Sequence, residues 1–110
     1  MGMTTTFQHP LFMSKITKVG KKVLVKPEMD IVASMVNQLK EELNQALNDG
    51  AVEMAIDLSG VEMMDSMGIG LLIAAHNSLK KDGGRLELLN ASADIQKLLK
   101  NMRLDKHFLM

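Results

Sequence analysis

The sequence predicts a single mixed α/β domain: a mostly parallel central sheet with helices packed on it. Three observations carry this. Short, β-rich apolar runs alternate with longer runs of helical period, in the order β-β-α-β-α-β-α. A chain of 110 residues is long enough for one real core, since a fold of that size hides roughly two-thirds of its unfolded surface. The composition, 46% hydrophobic and 24% charged, is that of an ordinary globular protein, neither disordered nor fibrous.

Residues 1–11 read as a flexible N-terminal tail, polar and with a Pro near its end, and residues 12–110 as the domain. Apolar and polar positions roughly alternate over 12–18, residues 19–22 supply turn chemistry, and Lys22–Lys26 is a short Val/Leu run, so the pair reads as a hairpin. Its lysines blunt an exposed sheet edge. Pro27 ends the second strand because it has no N–H for the ladder, and Asp30 stands ready as a helix cap.

From 31 to 47 the apolar residues Ile31, Met35, Leu39, Leu43 and Leu47 recur every four positions, with Gln38, Glu41, Glu42 and Gln45 opposite. This is the clearest amphipathic helix, and Asp49 and Gly50 stop it. Residues 52–58 are short and apolar on both faces, as a central covered strand requires, with Asp57 the polar exception. Residues 67–79 are too long for a strand and carry Ala, Leu and Met in helical register, ending at Asp82, Gly83 and Gly84. A strand over 85–89 and a helix over 93–102, capped by Ser92, complete the order, and Phe108 and Leu109 are expected to add a final short strand.

Composition excludes several functions. Thirteen basic and thirteen acidic residues cancel, so the chain lacks the positive field with which nucleic-acid binders meet phosphate. There is no cysteine, hence no disulfide, thiolate chemistry or Cys-based metal site. No basic-then-apolar leader opens the sequence and no apolar run approaches the ~20 residues of a membrane span, so a cytoplasmic protein without membrane contact is expected. Eleven methionines against 3% aromatics imply a core filled by flexible thioethers and branched aliphatics.

The most informative stretch joins the strand at 52–58 to the helix at 67–79. Asp65 and Ser66 lie at a strand-to-helix junction, where the first helical N–H groups have no intrahelical partner and stabilise an oxygen. Either residue serves as a simple N-cap, worth about 1 kcal/mol. Gly68 and Gly70 add something, since each costs roughly 1 kcal/mol relative to Ala in a helix and so implies close approach by another chain or segment. Met63, Met64 and Met67 place soft side chains around the hydroxyl.

The string of residues 64–71, Met-Asp-Ser-Met-Gly-Ile-Gly-Leu, following the strand residues Ala55, Ile56, Asp57 and Leu58, resembles the STAS domain family, specifically its bacterial anti-sigma factor antagonists. The resemblance spans roughly 12–109, and Pro27, Glu28, Met29 and Asp30 stand where the family has a Gly-Glu-Leu-Asp-like turn. It implies partner switching. The unphosphorylated protein binds an anti-sigma factor that is also a serine kinase, phosphorylation by that kinase ends the binding, and a serine phosphatase restores it. Ser66 matches the phosphoacceptor, and Glu28, Asp30, Asp65, Ser66, Met67, Gly68 and Gly70 the partner surface. Two departures stand out: Pro27 replaces the family's Gly, and the chain stops where the family continues into a last helix. The same resemblance carries a second reading, a constitutive, non-phosphorylated STAS binding module in a sensory or lipid-transport complex.

Catalysis is not expected. No Gly-x-Ser-x-Gly elbow surrounds Ser66, His9, His76 and His107 show no triad pattern, and Gly68-x-Gly70 lacks the third glycine of a dinucleotide loop. His76 reads as a helix-face residue. A receiver domain phosphorylated at Asp57 would need further carboxylates for Mg²⁺ at the end of the first strand, and 18–26 offers none. Asp57 is therefore expected to be a structural carboxylate supporting the junction loop, with no cofactor or metal site.

Overall fold

The structure, a computed structural model, describes residues 4–7 and 14–108. Five strands and three helices follow in the order β1 (Thr4–Phe7), β2 (Lys15–Val19), β3 (Lys22–Lys26), α1 (Ala33–Asn48), β4 (Glu53–Asp57), α2 (Ser66–Lys81), β5 (Leu86–Leu89) and α3 (Ala93–Asn101). They form one sheet in the spatial order β1-β2-β3-β4-β5. The pairings β1–β2 and β2–β3 are antiparallel, and β3–β4 and β4–β5 are parallel. The expected mixed α/β class is thus the observed one. A two-residue turn at Gly20 and Lys21 closes the β2–β3 hairpin, with Gly20 at φ +60°.

Strand alternation sends Val23, Val25, Met54, Ile56, Leu86 and Leu88 into one core, which also takes Leu39 and Leu43 of α1, Leu72 and Leu79 of α2, and Ile95 and Leu99 of α3. β4 is buried on both faces, as its sequence requires: Ala55, on the face opposite Met54 and Ile56, is only 1% exposed.

All three helices end alike, in the paired 5→2 and 6→1 bonds of a Schellman motif. Gly50 and Ala51 donate to Leu47 and Ala46, Gly83 and Gly84 to Lys80 and Leu79, and Arg103 and Leu104 to Lys100 and Leu99. The left-handed residue is Gly in the first two (φ +94° and +79°) and Arg103 in the third (φ +58°).

Several expectations are corrected. Thr4–Phe7, read as tail, pairs with β2 through Thr4↔Val19 and Phe7↔Ile16. An edge strand of three threonines and a phenylalanine has β propensity that a polar N-terminal decapeptide obscures. The rest of the expected tail, residues 1–3 and 8–11, lies outside the described residues. α1 starts at Ala33 rather than at residue 31, because Ile31 makes a parallel bridge to Met64 instead. Asp30 does not cap it. Glu42 is only 7% exposed, because the buried stripe of α1 is wide enough to take it beside Leu39, Leu43 and Ala46. Phe108 is a buried bend and not a strand residue, and Leu109 lies outside the described residues.

Candidate functional site

The parallel strands β3, β4 and β5 end on the same edge of the sheet, so the loops that leave them, including 27–32 and 58–65, gather there. Two carboxylates stitch these loops together by reaching across rather than along the chain. Asp30 Oδ1 accepts from the N–H groups of Glu62 and Met63, at 2.9 and 3.0 Å. Asp65 returns the link: its Oδ2 accepts from Ala33 N–H, the first residue of α1, at 2.8 Å. Main-chain bonds from Ile31 N–H to the Met63 carbonyl and from Asp65 N–H to the Ile31 carbonyl run between them.

The other oxygen of Asp65 caps its own helix, accepting from Gly68 N–H at 2.9 Å. Val32, at the N-cap of α1, offers no side-chain bond, so one carboxylate serves two helix starts. The bonds from Gly68 and Ala33 hold the Asp65 carboxyl below its ordinary value, outweighing the partial loss of water around it, which acts the other way. The group at the junction is therefore a carboxylate.

With the cap supplied by Asp65, Ser66 occupies the first position of α2, exposed, and no hydrogen bond among the described residues holds its hydroxyl. Met63 (63% exposed) and Met67 (56%) flank it, whereas Met64, expected beside them, turns into the core. Gly70 is exposed with open space where a Cβ would stand.

Gly68 is different. It is buried, and a Cβ there would fall on the carbonyl oxygen of Ile31 and 2.8 Å from Ile31 Cγ2. The approaching segment is the chain's own 27–32 loop, which corrects the assignment of Gly68 to a partner surface: its bare backbone lets α2 start against Ile31. Glu28 is exposed, in the left-handed region (φ +60°), and forms ion pairs with Lys15 at 3.2 Å and Lys26 at 3.8 Å. It also backs onto the junction loop, since a Cβ on Gly60 would lie 3.7 Å from Glu28 Cα.

Asp57 supports the loop as expected. Its Oδ1 accepts from Ser59 N–H at 2.9 Å, from the Ser59 hydroxyl at 2.7 Å and from Asn90 Nδ2 at 3.1 Å. Desolvation opposes its ionisation, but these bonds and the charge of Lys26 win and hold its carboxyl below the usual value. Among the described residues no group of three or more His, Asp or Glu could hold a metal ion, and no helix is long and apolar enough to cross a membrane.

Residues 13–110 match the family model of the STAS domain. The chain belongs to the STAS domain family. Among curated proteins, the anti-sigma-B factor antagonist of Bacillus subtilis is 34% identical over 77 residues, 70% of this chain and 68% of that protein. The anti-sigma F factor antagonist of Lysinibacillus sphaericus is 34% identical over 64 residues, 57% of this chain and 55% of its own length. Among solved structures, a Thermotoga maritima protein described as an anti-sigma factor antagonist superposes with a TM-score of 0.81 at 24% identity, covering 92% of this chain and 86% of that one. The unphosphorylated form of the antagonist SpoIIAA gives 0.71 at 19% identity, covering 97% and 86%. At these identities the structural likeness speaks for the STAS fold, and the site rests on the residues described above.

Proposed function

We propose that this STAS domain is an anti-sigma factor antagonist, a binding regulator rather than an enzyme, that works in the cytoplasm by switching partners. The observation that carries the reading is the division of labour at the junction: Asp65 takes the helix cap and leaves the Ser66 hydroxyl exposed between Met63 and Met67, with no hydrogen bond to it among the described residues. The names of the two curated relatives support it.

In the unphosphorylated state Ser66, Met67, Gly70, Glu28 and the surface around them dock on an anti-sigma factor that is also a serine kinase. That kinase moves the γ-phosphoryl of ATP to Ser66 Oγ and releases ADP, and a serine phosphatase later hydrolyses the ester. The phosphoryl brings about −1.5 to −2 charges next to the ionised Asp65 and between two apolar side chains that a partner must cover. Like-charge repulsion and the desolvation of phosphate both oppose docking. The fold is spared because the bonds of Asp65 and Asp30 that hold the loops do not involve Ser66.

One observation favours a second reading, a constitutive module without phosphorylation: the Asp65 carboxylate already holds the Gly68 N–H that a phosphate would otherwise take. Incubation with a candidate anti-sigma serine kinase and ATP, followed by phosphate mapping by mass spectrometry, separates the two. Partner switching predicts one modified site, Ser66, lost in Ser66→Ala. An unmodified protein that still binds leaves the constitutive module.

A further inference from the structure

We propose that the cleft at the far end of α2 binds a small phosphate-bearing anion, at a site separate from Ser66. Its walls come from three sequence-distant pieces: His76 and Lys80 of α2, Arg85 at the entry to β5, and Lys106, His107 and Phe108 after α3. Together they line an open cleft of about 420 Å³, within the size range of small-molecule sites.

The charge of the cleft has one sign. Three permanent cations line it and, among the described residues, no carboxylate side chain does, although the chain as a whole is neutral. Lys15 and Lys26 share Glu28, whereas Lys80, Arg85 and Lys106 have no ion-pair partner among the described residues. Two of the carbonyls at the end of α2, those of Lys80 and Leu79, are already engaged by Gly83 and Gly84 N–H and so oppose an anion less.

His76 senses the same field. Burial, and after it the charges of His107, Lys80 and Arg85, push its imidazole below the ordinary value, so it stands neutral. Its Nδ1 accepts from Leu86 N–H at 3.4 Å, which leaves Nε2–H as a donor. Phe108 meets the His76 ring edge-on at a centroid distance of 5.5 Å and closes the apolar side of the cleft. Arginine, lysine and imidazole N–H donors around a polar cavity are the groups that recognise phosphate oxygens. The cavity's size favours a small phosphate ester or pyrophosphate over a macromolecular surface.

Ser66 and Lys80 stand at opposite ends of α2, about 21 Å apart along its axis, so this site and the proposed switch fail independently. The test is an NMR titration of the intact chain with sodium pyrophosphate, following backbone amides and imidazole signals at matched ionic strength. Saturable shifts confined to His76, residues 83–85 and residues 106–108 are expected. Affinity is expected to fall at least ~10-fold in Lys80→Ala and in Arg85→Ala and to stay unchanged in Ser66→Ala. Both lysine and arginine are exposed, so spectra unchanged away from the cleft verify the fold of the variants. Phenyl phosphate compared with inorganic phosphate distinguishes the sources: tighter binding of the ester points to an aromatic phosphate seated on Phe108, and equal binding to a site that reads phosphate alone. Shifts that never saturate, that sodium chloride reproduces, or that survive both substitutions overturn the proposal.

Discussion

Asp65 and Ala33 lie 32 residues apart, yet Asp65 Oδ2 accepts from Ala33 N–H at 2.8 Å while its Oδ1 caps α2. Removing this carboxylate uncaps two helices and unties the two loops that carry the proposed docking surface. Asp65→Ala is therefore expected to lower the urea midpoint by at least about twice the loss seen in Ser92→Ala, whose hydroxyl caps only α3. Equal losses would mean that the Ala33 bond contributes nothing.

The two glycines of the α2 start should respond with opposite signs. Gly68→Ala forces a methyl against the Ile31 backbone and is expected to destabilise by about 1–3 kcal/mol, the usual range for overpacking. Gly70→Ala enters open space in a helix and should stabilise by about 0.5–1 kcal/mol. Chemical denaturation of both variants checks the pair. Because Gly70 is on the proposed partner surface and Gly68 is beneath it, the stabilised Gly70→Ala is also the variant whose partner binding should weaken.

The left-handed residue that ends α3 is Arg103, where α1 and α2 use glycine. A Cβ in that conformation costs about 1 kcal/mol, and Arg103 is exposed with no ion pair among the described residues. Arg103→Gly is expected to raise the thermal midpoint by several degrees. An unchanged or lower midpoint would show that unfolded-state entropy of the new glycine outweighs the relief.

Stability should fall in two steps on acidification. The folded-state value of His76 lies below the ordinary 6.5, so the unfolded chain binds the extra proton first and stability declines as the pH drops below about 6.5. Asp65 and Asp57 have folded-state values below the ordinary 3.8, so their contribution is complete above 3.8 and disappears as pH falls through the folded values. Urea midpoints measured against pH should show both steps, and His76→Asn should remove only the upper one.

Much of this was legible from local pattern. The four-residue period of α1, the short apolar β4 and the cap-like Asp65-Ser66 pair placed the junction correctly, because these signals act within one element. What escaped depended on contacts between elements. Asp30 and Asp65 were each visible as carboxylates near a helix start, but capping rules look three residues ahead, whereas Asp30 reaches residues 62 and 63 and Asp65 reaches residue 33. Gly68 signalled close approach without saying that the neighbour was Ile31. The cationic cleft could not be read at all, since Lys80, Arg85 and Lys106 meet only when α2, β5 and the segment after α3 are packed.

The central claim is that charge on Ser66 acts on docking and leaves the fold intact. Isothermal titration of the anti-sigma partner into unphosphorylated protein, into the form phosphorylated at Ser66 and into Ser66→Asp tests it directly, with a thermal melt of each sample as control. The expected result is binding by the unmodified protein, at least ~100-fold weaker binding by the phosphorylated form, an intermediate loss in Ser66→Asp, and three closely similar melting points. Equal affinities for phosphorylated and unphosphorylated protein would contradict the account.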